Sequence, residues 1–205
     1  MTLVKILPMA FVMIAGPQIL SAIFLATTEN WRRNSAAYVA GASLSITLIV
    51  TIAYFASSGA SDEGASSDTL YVVVLVLLVG AALNTYLTRK TAKPPQWMGK
   101  LQTASPKFSF RLGFLLLGVF PTDILTSFAV GSYLAGHDDP WWHLLPFLLL
   151  TVLFLALPAL LILALGQRAQ AFLPRARDWI NANSWVVSEV VIVFFIAITA
   201  NSLAG

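Results

Sequence analysis

Asp123 lies in the middle of a long apolar stretch, two residues after a proline, in the run Phe120-Pro121-Thr122-Asp123-Ile124-Leu125-Thr126-Ser127. A carboxylate at the centre of a bilayer costs roughly 2.5–3.5 kcal/mol on insertion scales and needs a partner, water or a proton. The chemistry open to it is proton or cation coupling, or contact with a substrate. The plainer alternative is a local cap that satisfies a broken backbone. Earlier in the chain the run Gly16-Pro17-Gln18-Ile19-Leu20-Ser21-Ala22 repeats the theme of proline, polar residue, Ile-Leu and a small residue. Proline removes a backbone donor and breaks a helix, and lipid does not tolerate the groups it frees. Two breaks in matching positions point to a protein-lined or watery centre, and so to a transporter core.

Proline is suited to the first position of a helix, where its missing N–H is no loss. The segments after Pro17 and Pro121 are therefore expected to start half-helices near mid-membrane, one running inward and one outward, with their N-termini converging. Free N–H groups and the positive end of the helix dipole favour an anion there. The simpler reading of each proline is a kink whose freed carbonyl is satisfied by a neighbour. Gln18, Thr122 and Thr126 flank the breaks and are the candidate polar contacts. Glu189, in the last apolar stretch, is either a second pathway carboxylate or half of a structural ion pair, with Arg32, Arg33 or Arg175 as candidate partners. Ser21, Asn84, Ser127 and Asn201 read as hydrogen-bonding residues between helices. Ala37, Gly41 and Ser45 form a small-residue stripe that reads as close helix packing. His137 and His143 flank Asp138 and Asp139 without a recognised metal-ligand spacing. No nucleophile elbow, phosphate loop or dinucleotide fingerprint is present, so no enzyme activity, metal or cofactor is expected. With no cysteine in the chain, disulfides and thiol relays are excluded.

The elements that must position these residues are membrane spans. Of the 205 residues, 58% are hydrophobic and 10% charged, where a soluble domain carries roughly 25% charged. Six apolar stretches, at roughly 3–28, 36–57, 69–88, 111–135, 143–166 and 184–204, each approach the ~20 residues needed to span. Alternate loops hold Arg32 and Arg33; Arg89, Lys90, Lys93, Lys100, Lys107 and Arg111; and Arg168, Arg175 and Arg177. The remaining loops are acidic, with Asp62, Glu63 and Asp68, then Asp138 and Asp139. The positive-inside rule puts the basic loops in the cytoplasm and both termini outside. The net charge of +3 thus reflects topology rather than nucleic-acid binding. Residues 1–88 form a first three-helix repeat, 89–110 a basic cytoplasmic loop and 111–205 a second repeat. An odd number of spans per half makes the repeats inverted. The first span, too long and proline-rich for a signal peptide, is expected to be retained. The six tryptophans fall at span ends or in loops, as interfacial anchors do.

Six spans in two inverted halves, with proline motifs in the first and fourth, resemble the LysE superfamily of small transporters. Leu7-Pro8 followed by Gly16-Pro17-Gln18-Ile19-Leu20-Ser21-Ala22 is similar to the GAP family within it, which includes the sulfolipid-1-addressing and glycopeptidolipid-addressing proteins of mycobacteria. The resemblance implies an actinobacterial plasma-membrane protein that moves a polar lipid, a glycolipid or a precursor by alternating access. It carries Pro17 and Pro121 over as broken-helix positions. The expected partners are membrane lipids, the substrate, a second copy of the chain and proteins of glycolipid synthesis or export. Two other functions fit the same residues: an exporter of small amino-acid-like or ionic solutes, and a non-transporting scaffold for a glycolipid machine.

Overall fold

A computed structural model of the protein describes residues 6–58, apart from 8, 15 and 16, and residues 101–183, apart from 102. The expected third and sixth spans, with Asn84, Glu189 and Asn201, lie outside the described residues, as does most of the basic central loop. The described chain is helical. The first apolar stretch is two helices, α1 (Met9–Ile14) and α2 (Pro17–Ala26). The second is the uninterrupted α3 (Trp31–Ser58). The fourth is again divided, into α4 (Pro106–Val119) and α5 (Pro121–Gly136). A short 3-10 turn, Trp141–His143, leads into α6 (Leu144–Leu165), and α7 (Gln167–Ala182) follows directly.

Local chemistry accounts for these boundaries. Both α2 and α5 begin at the proline of a motif, as expected for a residue that gives up no hydrogen bond at the first helical position. Phe120, between α4 and α5, is extended at φ −67° and ψ 126°. The axes on either side diverge by 67°. Helix α4 is capped by Ser105, whose hydroxyl accepts from the Phe108 N–H at 3.2 Å, with Pro106 at its first position. Asn34 ties this start to α3 by donating to the Ala104 carbonyl at 2.9 Å.

Among the described residues two helices, Trp31–Ser58 and Trp141–Leu165 with its leading turn, are long and apolar enough to cross a membrane, and the bent pair α4–α5 makes a third if counted as one span. The distribution of side chains agrees with a lipid solvent. Leu44, Leu48, Ile52 and Phe55 stand exposed along one stripe of α3, whereas Gln18, Asn34, Ser45, Ser109, Asp123, Ser127 and Thr151 are buried. Lipid gives no hydrophobic drive between helices, so close packing and internal hydrogen bonds must hold them.

That packing centres on α3. A Cβ on Gly41 of α3 would overlap the Phe110 carbonyl oxygen of α4, and a Cβ on Gly113 of α4 would overlap the Tyr38 carbonyl oxygen of α3. The two helices thus touch backbone to backbone through reciprocal glycines, as the small-residue stripe Ala37-Gly41-Ser45 anticipates. Past the break, Gly131 of α5 seats against the Val50 carbonyl and Ala53 of the same α3. Both halves of the broken helix are held on one uninterrupted helix.

One expectation is corrected. The stretch after the fifth span, read as a short polar loop, is the 16-residue helix α7. Its Ala169 and Leu173 pack on Ile23, Ala26 and Ile162, so buried apolar contacts at helical spacing stabilise it.

Candidate functional site

The two proline motifs meet. Gln18, one residue into α2, donates from Nε2 to Oδ2 of Asp123, in the first turn of α5, at 2.5 Å across 105 positions of sequence. Gln18 is 1% and Asp123 0% exposed. The convergence follows from the two breaks: each proline starts a helix in the interior, and its first turn faces the other.

The pair is braced on several sides. The Tyr38 hydroxyl of α3 donates to the Gln18 backbone carbonyl at 2.9 Å. Ser127, one turn after Asp123, turns its hydroxyl toward the Met13 sulfur of α1 at 4.0 Å. Four helices therefore contribute to the site: α1 and α2 from the first broken stretch, α3 behind, and α5 from the second. Ser21 and Thr126 serve their own helices instead. Ser21 donates to the Pro17 carbonyl at 2.6 Å and Thr126 to the Thr122 carbonyl at 2.7 Å. Each supplies a partner to a first-turn carbonyl beside a break. Thr122 is exposed, away from the carboxyl it precedes.

Two oxygens of the pair, Gln18 Oε1 and Asp123 Oδ1, are buried with no hydrogen-bond partner among the described residues. Both are acceptors when the carboxyl is ionised. No described basic side chain is paired with Asp123. The expectation of an anion held between two helix N-termini is therefore refined: the chain places its own carboxyl there. Among the described residues these two oxygens meet no donor, so the chemistry open to them is that of a hydroxyl, an ammonium, water or a proton.

The other sequence candidates fall elsewhere. His143 contacts Asp139 at 3.2 Å, and His137 stacks on Tyr133 at 4.0 Å, both in the acidic loop. That loop is fastened to the end of α3 by Tyr54 donating to the Asp139 carbonyl at 3.0 Å and Trp141 donating to Thr51 at 3.0 Å. Trp141 is thus a packing residue as well as an end marker. A pocket of about 440 Å³ at the end of α2 is lined by Ala26, Thr27, Thr28, Glu29, Trp31 and Pro174, and neither Gln18 nor Asp123 reaches it. Sequence reasoning missed Tyr38 and Met13. A tyrosine or methionine in an apolar helix carries no signal of its own; only the approach of α3 to α4 through Gly41 foreshadows Tyr38.

With this geometry established, comparison with known proteins is informative. A sequence profile described as Sap, sulfolipid-1-addressing protein, matches residues 6–203. The chain belongs to this family. The Sap match spans both proline motifs and every described helix. No curated protein and no solved structure matches the chain. The assignment to the Sap family agrees with the resemblance read from the first proline motif.

Proposed function

We propose that this protein is an integral membrane transporter that moves a polar lipid, a glycolipid or a precursor across the plasma membrane of a bacterium by alternating access. In this reading six spans form two inverted three-helix repeats, with both termini outside. The observation that carries it is the buried Gln18–Asp123 pair, where two interrupted helices meet and two acceptor oxygens stand unpaired among the described residues. Membership of a family described by the addressing of a sulfolipid supports a lipid cargo. A sugar headgroup is rich in hydroxyl donors, which these two oxygens do not meet among the described residues. Asp123 is the coupling or binding carboxyl, Gln18 its partner and positioning residue, and Pro17 and Pro121 create the facing helix starts. Thr126 supports the second break, Thr122 flanks it, and Glu189 is a second candidate along the path. Cycling requires the pair to part, so that Asp123 is exposed to one side at a time while α3 holds the α4–α5 break in place.

A second reading has one observation in its favour. The pair is fully buried, as a site for a small ionic or amino-acid-like solute would be. Native mass spectrometry of the protein in mild detergent separates the readings. A phospho- or glycolipid retained by the wild type and lost on Asp123→Asn supports the lipid transporter. Lipid-free protein that drives ion or amino-acid flux in vesicles supports the solute exporter. Protein that moves neither and co-purifies with a synthesis enzyme is a scaffold.

A further inference from the structure

We propose that α7 is an interfacial helix that binds the anionic lipids of the cytoplasmic leaflet through Arg168 and Arg175, with Phe172 and Trp179 inserted beside them. This surface is distinct from the Gln18–Asp123 centre and does not rest on the transport reading.

Three stripes of α7 carry the argument. The first faces the protein: Ala169 and Leu173 are 3% and 2% exposed against Ile23, Ala26 and Ile162. The second lies beside it. Phe172 and Trp179 are seven positions apart, which is two helical turns, and they stand 60% and 58% exposed. Beyond them, again seven apart, come the exposed Arg168 and Arg175. Ala171 is exposed on the side beyond the arginines. Going round the helix, the order is protein, aromatic, arginine, water.

That order matches a membrane surface. Aromatic rings sit at the level of the headgroups, and guanidinium groups beside them pair with phosphate. The helix also follows directly on an apolar surface in the chain. Leu160, Leu163 and Leu165 are exposed along the end of α6, and the chain then turns through Gly166 into α7. Residues 168–177 belong to a segment whose basic charge reads as cytoplasmic, where the leaflet is negatively charged. An acidic protein partner would satisfy the arginines, but it would not account for two large apolar rings standing exposed beside them.

The absence of cysteine allows single-site spin labels. Phe172→Cys, Trp179→Cys and Ala171→Cys would each be labelled in the full-length protein. The variants are reconstituted in phosphatidylcholine vesicles with and without one-quarter phosphatidylglycerol. Accessibility to oxygen, which partitions into lipid, is compared with accessibility to a water-soluble nickel chelate. The expected result is an oxygen-to-nickel ratio several-fold higher at 172 and 179 than at 171. It should rise when phosphatidylglycerol is present, and that rise should vanish in the Arg168→Gln/Arg175→Gln background. Labels at 172 and 179 as open to nickel as the one at 171 would overturn the proposal. So would labels shielded from both reagents, because protein would then cover the face. A ratio indifferent to lipid charge or to the two arginines would overturn the anionic-lipid assignment. None of these readouts depends on transport.

Discussion

Breaking one side of the Gln18–Asp123 pair should be worse than removing both. Gln18→Leu leaves the Asp123 carboxyl buried with neither oxygen bonded, because Oδ1 already lacks a partner among the described residues. A buried group that loses its hydrogen-bond partner costs about 1–3 kcal/mol, and more when it is charged. Asp123→Leu strands the Gln18 amide, a neutral group whose loss of partner costs about 1–3 kcal/mol. In Gln18→Leu/Asp123→Leu no polar group is left unpaired at that contact, and the remaining loss is that of a changed shape, below about 1.5 kcal/mol. The sum of the singles should therefore exceed the double by several kcal/mol, where each ~1.4 kcal/mol is tenfold in the folded ratio. Unfolding in mixed micelles, followed by circular dichroism against mole fraction of denaturing detergent, gives the cycle. Additive single losses would refute the reasoning, since side chains in one buried hydrogen bond must couple.

Four further outcomes are expected. Gly41→Val and Gly113→Val should each destabilise by more than about 1–3 kcal/mol, because the new Cβ meets backbone that cannot move aside, while Gly136→Ala, with nothing within 4 Å, should be neutral or better; thermal unfolding of the three variants checks this. Gly166→Ala should cost about 1–3 kcal/mol although no atom lies within 4 Å, since φ +52° and ψ −123° suit glycine alone; hydrogen exchange should then quicken in α7 first. Tyr38→Phe should remove the donor to the Gln18 carbonyl and lower stability by about 0.5–1.5 kcal/mol in the same micelle assay. Ser57→Cys/Ser132→Cys should cross-link on mild oxidation, because the two hydroxyls are 2.9 Å apart; a faster-migrating band without reductant shows it, and its absence would argue against the pairing of α3 with α5.

The breaks were legible because proline acts locally. Pro17 and Pro121 each begin a helix as their chemistry requires, whatever lies around them. The glycine contacts were half legible: Ala37, Gly41 and Ser45 announce a close approach, but not that α4 answers with Gly113 and α5 with Gly131. The Gln18–Asp123 bond was not legible, although both residues were candidates. The prolines foretell that the two helix starts converge, but which side chains meet there depends on how both are held against α3, and no local pattern encodes that. Tyr38 was hidden because its hydroxyl serves a backbone carbonyl, a role with no sequence mark. Helix α7 was missed for a different reason. Its arginines read as a loop when counted for charge, whereas Ala169, Phe172, Leu173 and Trp179 at helical spacing show its two apolar stripes.

The central claim is that the Gln18–Asp123 centre moves a polar lipid through this protein. Its most direct test is transbilayer movement of a fluorescent glycolipid in vesicles holding purified wild type or Asp123→Asn, with dithionite reading the outer leaflet. Asparagine keeps the shape and can still accept from Gln18 Nε2, so the variant should insert and fold. The account predicts movement in the wild type, under an imposed ion gradient if coupling demands one, and movement at the protein-free rate in Asp123→Asn. Transport by Asp123→Asn at the wild-type rate would contradict it.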